Sequence, residues 1–129
     1  MRGLIYSAFG RVEDAVEDLN RVRELDPLEW RETGWVLGQC YYLMHRYDDA
    51  IVFFRQWLPG NPRSEIGHTF LAFALSMKGM HAEALAQNDS SGFLGTLNRP
   101  LFLLKAGKRD LALKAYEQSL PMQNDYNKA

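Results

Sequence analysis

Glu65 and His68 stand three residues apart in a helical stretch, a spacing that puts a carboxylate and an imidazole on one helix face. Such a pair serves carboxylate-bridged metal sites, which also need a second pair and further carboxylates. None is present on an apolar inner face, so neither a metal nor another cofactor is expected. His45 and His81 fall near turns between helical stretches, beside Arg46 and Met80, and read as surface turn residues. The acidic pairs Glu13-Asp14 and Asp48-Asp49 sit in the first turn of helical stretches, where negative charge favours the helix dipole. Cys40, beside Tyr41 on an apolar helix, reads as a small buried hydrophobe. As the only cysteine it excludes an intramolecular disulfide and a multi-cysteine zinc site. No Ser-His-Asp order, phosphate-binding loop or paired-carboxylate cleft stands out. The expectation is a protein with no catalysis of its own.

Composition narrows the classes further. A chain of 129 residues, 47% of them hydrophobic, predicts one domain spanning 1–129 with a real core. Fifteen basic residues face sixteen acidic ones, for a net charge of −1, and no run of five or six like charges occurs. Nucleic acid is therefore not an expected partner, because phosphate binding needs a clustered basic surface. The longest apolar stretches, 51–58 and 70–77, are too short and interrupted to span a bilayer. The opening Met1-Arg2-Gly3-Leu4 is not followed by an uninterrupted apolar segment and a cleavage site, so no signal peptide is read. A single cysteine fits a reducing, cytoplasmic location.

The elements that must position these residues are helices throughout. Stretches rich in Ala, Leu, Glu and Arg are separated by short Gly, Asn and Pro breaks. The pattern predicts helices over about 1–9, 12–25, 29–44, 47–58, 64–78, 81–87 and 108–120. Asp26-Pro27 ends the second, and Pro59-Gly60-Asn61-Pro62 is a turn. Gly79 is placed as a C-terminal cap. Asn88-Asp89-Ser90-Ser91-Gly92 reads as a break. The apolar stretch 93–106 contains Pro100 and either kinks there or starts only near Asn98. Pro121 and the tail 122–129 are expected to fray.

Two segments repeat each other. Gly3-x-x-Tyr6, Arg11-Val12, Ala15-x-x-x-Leu19 and Asp26-Pro27 correspond to Leu37-Gly38-x-x-Tyr41, Arg46-Tyr47, Ala50-x-x-x-Phe54 and Asn61-Pro62. Tyr6 to Tyr41, Ala15 to Ala50 and Pro27 to Pro62 share one offset of 35 residues. A fixed period of this length marks stacked helical hairpins. The repeat follows from packing: antiparallel helices approach closely only where Gly38 and Ala50 are small, while Tyr41 and Phe54 fill the space between neighbours. The repeats are read as 1–27, 28–62, a degenerate 63–92 and a degenerate 93–121. Ala84 to Ala112 is only 28 residues, so the deletion falls in 88–97, expected to be the least regular part.

Leu-Gly-x-x-Tyr, then Ala-x-x-x-Phe, then Pro resembles the tetratricopeptide repeat (TPR). Residues 37–62 match almost fully, although the leading Trp of the family falls on Gly34, and Trp57 stands where the family has Ala. Packing there is expected to be looser or shifted. The resemblance implies an all-α fold, a right-handed helical-hairpin solenoid of three to four tetratricopeptide-like repeats. It also implies a concave groove for protein or peptide partners. Its lining is expected from Trp35, Gln39 and Tyr42 in the second repeat and from Thr69, Phe73, Ser76 and Met77 in the third, with Leu4, Ser7, Leu101 and Lys105 from the outer copies. This set is aromatic and apolar, which suits an apolar peptide anchor. The Lys and Asn clamp with which one family subtype grips a carboxylate is absent from these places.

The function expected is therefore a protein–protein interaction module. The alternatives are a self-associating scaffold, hence a homo-oligomer, or a piece of a larger regulatory or enzymatic protein. The first copy begins inside its first helix and no polar capping helix follows the last, which favours a piece of a longer array.

Overall fold

The computed structural model describes residues 12–128, and the helix expected over 1–9 lies outside them. Among the described residues the chain is α-helical and forms two compact units that meet in sequence between Arg63 and Ser64.

The first unit contains α1 (Val12–Leu25), α2 (Pro27–Thr33), α3 (Trp35–Leu43), α4 (Tyr47–Trp57) and a 3₁₀ turn, Leu58–Gly60. Asp26 caps α2 by accepting the Glu29 N–H at 3.2 Å, and Pro27 follows as its first residue. The sequence reads α2 and α3 as one helix. They are divided at Gly34 alone, whose backbone stays helical while the Leu37 N–H bonds the Gly34 carbonyl, three residues back rather than four. A Cβ at Gly34 would lie 2.5 Å from Trp57 Nε1. Trp57 is buried against this bare backbone, so the exchange of large and small residues shifts the packing without loosening it.

The α3–α4 hairpin is the core of this unit. Ala50, Cys40 and Phe54 are fully buried, and a Cβ on Gly38 would overlap the Phe54 ring and stand 2.8 Å from Phe53 Cδ1. Around them run Trp30, Tyr41, Phe53, Phe54 and Trp57: Phe53 meets Trp30 and Phe54 edge-on, with centroids 5.7 Å and 5.3 Å away, and stacks on Trp57. Such pairs add specificity to the burial that dominates their energy.

The second unit contains α5 (Glu65–Met77), α6 (His81–Asp89), α7 (Gly92–Lys105) and α8 (Arg109–Lys128). Ser64 caps α5, accepting the Gly67 N–H at 3.1 Å. The sequence places a break over 88–92 and leaves the start of the next helix between 93 and 98. Instead α6 reaches Asp89, and after Ser90 and Ser91 the chain is helical again from Gly92, with Pro100 inside α7. The reason is a contact between the two helices. Asn88, fully buried where the repeat pattern has an aromatic, donates from Nδ2 to the Gly95 carbonyl at 2.8 Å. Gly95 has no side chain to hold the helices apart. Arg99 and Asp89 form an ion pair across the same junction. The helix α8 also continues past its expected end near 120, with Pro121 inside it. A proline removes one ladder bond, and the turns on either side carry the helix on.

Three inter-helix turns share one geometry. Gly79 and Gly107 have φ of +79° and +80°, and the next N–H bonds back to Leu75 and Leu103. His45 takes the same left-handed place after α3, with φ +59°. Gly107→Ala is expected to destabilise the protein by about 1–2 kcal/mol, because a Cβ is strained in this conformation. Gly60→Ala, with nothing within 4 Å of the new Cβ, is expected to stay within about 0.5 kcal/mol of the parent. Urea unfolding of the two variants checks the contrast.

Candidate functional site

Trp35, Gln39 and Tyr42 recur at helical spacing along one face of α3 and are all half-buried. Their neighbours Val36, Leu37, Gly38 and Cys40 are buried in the first unit and hold that face in place. Tyr42 packs edge-on against Tyr47 at the start of α4, with centroids 5.5 Å apart. His45 Nδ1 lies 2.6 Å from the Tyr47 hydroxyl, which fixes the Tyr47 ring in turn.

Desolvation by burial, and then the neighbouring Tyr47, raise the Tyr42 phenol above the ordinary value near 10. The unfolded chain releases this proton first. The neutral phenol thus contributes stability that is present below about pH 10 and is lost as pH rises through the raised folded value. The urea midpoint is expected to fall as pH rises above about 10, and less steeply in Tyr42→Phe.

The other four expected residues lie on α5, in the second unit. Phe73 is half-buried and stacks on Phe102 of α7, with centroids 5.2 Å apart, besides meeting Phe70 edge-on. Met77 is exposed. Thr69 and Ser76 are buried, and the Thr69 hydroxyl donates to the Glu65 carbonyl at 2.8 Å. Of the outer positions, Leu101 is exposed and lines an apolar cleft of about 640 Å³ with Leu104, Leu113 and Tyr116 between α7 and α8. Lys105 is exposed, and Leu4 and Ser7 lie outside the described residues.

Glu65 and His68 have partners of another kind. Glu65 Oε1 accepts the Leu94 N–H at 3.2 Å, which sets a carboxylate at the start of α7. His68 Nδ1 lies 2.9 Å from Gln87 Oε1 and ties α5 to α6. Among the described residues no group of three or more His, Cys, Asp or Glu could hold a metal ion. Among the described residues no helix is long and apolar enough to cross a membrane.

Sequence reasoning missed the cluster of Trp30, Phe53 and Trp57. Its signal was the exchange of residue sizes at 34 and 57, which moves a large ring from the junction of α2 and α3 to the end of α4.

The hairpins of small-on-aromatic contacts define an all-α, TPR-like fold. The crystal structure of MamA is similar, with a TM-score of 0.81 at 20% sequence identity, covering 98% of this chain and 77% of the MamA chain. At that identity the likeness is one of fold. No protein-family model matches the sequence, and no curated protein does.

Proposed function

We propose that this protein is an interaction module that captures a segment of a protein partner and carries out no catalysis of its own. The observation that supports this is the α3 face: two half-buried aromatics, Trp35 and Tyr42, flank the amide of Gln39 on a helix whose opposite side is buried. Apolar rings around a hydrogen-bonding group are the composition of peptide anchor sites. Phe73 and Met77 on α5 give the second unit a face of related chemistry, while Thr69 and Ser76 are buried. The proposal places the module in the cytoplasm.

A photo-crosslinking residue at Gln39 tests the reading. It is expected to trap a partner polypeptide that the same residue at Val52, exposed on α4, does not trap. Equal trapping at both positions would remove the α3 face from the account.

The cleft between α7 and α8 favours a second reading, self-association. Leu101, Leu104, Leu113 and Tyr116 are exposed together there, and apolar surface of this kind marks interaction sites. A mass that falls on dilution, and a Leu104→Glu, Leu113→Glu variant that stays monomeric, would favour it.

A further inference from the structure

We propose that the first unit carries a second, separate binding site, for an acidic peptide segment with one large apolar side chain. The site is a cleft of about 420 Å³ between the end of α1, the helix α2 and the C-terminal end of α4. That volume falls in the range of ligand pockets. Phe53 and Trp57 form its floor, stacked with planes 18° apart, and Trp30 stands edge-on beside them. Leu28, 76% exposed, offers an apolar wall.

Two guanidinium groups also line this apolar cleft. Arg23, near the end of α1, lies over the Trp30 ring, 5.4 Å from its centroid, and Arg31 lines the cleft from α2. Neither is ion-paired with a carboxylate among the described residues. Of the three carboxylates between them in sequence, Glu24, Asp26 and Glu29, Asp26 caps α2. An arginine stacked on an aromatic ring keeps its hydrogen-bonding edge available for a carboxylate. The cleft therefore complements a ligand with an apolar body and a negative rim: the side chain lies on Phe53 and Trp57, and flanking carboxylates pair with Arg23 and Arg31. A peptide suits it better than a nucleic acid, because two arginines can pair with one or two carboxylates but make no extended basic track for a string of phosphates. None of the lining residues belongs to the α3 face, so the site stands or falls apart from the function proposed above.

The probe is the peptide acetyl-Asp-Glu-Leu-Glu-Asp-amide, titrated against the full chain and followed by tryptophan fluorescence. Saturable binding is expected. It should weaken at least tenfold in the double variant Arg23→Ala, Arg31→Ala, whose exposed positions leave the fold intact by circular dichroism. It should weaken as salt is added, and persist in Trp35→Ala, Tyr42→Ala. The lysine counterpart, acetyl-Lys-Lys-Leu-Lys-Lys-amide, should not bind. Absence of binding, equal affinity in the arginine double variant, equal binding of the lysine peptide, or displacement by AMP at comparable concentration would overturn the proposal, the last by making the cleft a nucleotide site.

Discussion

Phe54→Ala is expected to destabilise the first unit by about 3–5 kcal/mol. The ring is fully buried, and it occupies the space that Gly38 leaves open on α3. Truncation removes the transfer energy of the ring and leaves a cavity walled by a glycine, which has no side chain to move in. The surrounding rings, Phe53 above all, are held edge-on to one another and can close the gap only by leaving their present geometry. Tryptophan fluorescence during urea unfolding reads the effect, because Trp30, Trp35 and Trp57 all lie in this unit. The same contact predicts coupling: Gly38→Ala, which overlaps the Phe54 ring, should cost about 1–3 kcal/mol alone and much less when Phe54 is Leu. Additive losses would mean that the two positions do not meet.

Gly95→Ala is the second large effect, and here two principles oppose each other. Helix propensity alone favours alanine over glycine inside α7 by about 1 kcal/mol. Packing opposes it, since the new methyl group would overlap the Asn88 carbonyl oxygen and stand 3.2 Å from Ser91 Cβ. The obstacle is backbone, which cannot swing aside as a side chain can. A net loss of about 2 kcal/mol or more is expected, with faster hydrogen exchange at the amides of α6 and α7. A stabilised Gly95→Ala would show that α6 and α7 do not approach closely at this point. The Asn88–Gly95 hydrogen bond would then have no structural basis.

These two sites mark what the sequence carried and what it did not. The bounds of α1, α4 and α5 were legible because their signals are local: Asp26-Pro27 after α1, Asp48-Asp49 at the start of α4, Ser64 before α5. The pairing of Gly38 and Ala50 with Tyr41 and Phe54 was legible because it recurs at a fixed offset. The 88–92 segment was legible only in part: the turn is confined to Ser90 and Ser91, while Asn88, Asp89 and Gly92 belong to the flanking helices, which the hydrogen bond from Asn88 to Gly95 ties together. The α3 positions could be placed on one face from spacing alone. That Thr69 and Ser76 are buried could not, because it depends on which neighbours cover α5. The cleft over Phe53 and Trp57 is assembled from α1, α2 and α4, so no single stretch announces it.

The most direct test of the interaction role is affinity capture from source-cell lysate, read by mass spectrometry, with the parent protein beside a folded Trp35→Ala, Tyr42→Ala variant. The account predicts a partner that the parent retains and the variant loses. If both forms retain the same partners, or retrieve only copies of themselves, the α3 face is not the binding surface.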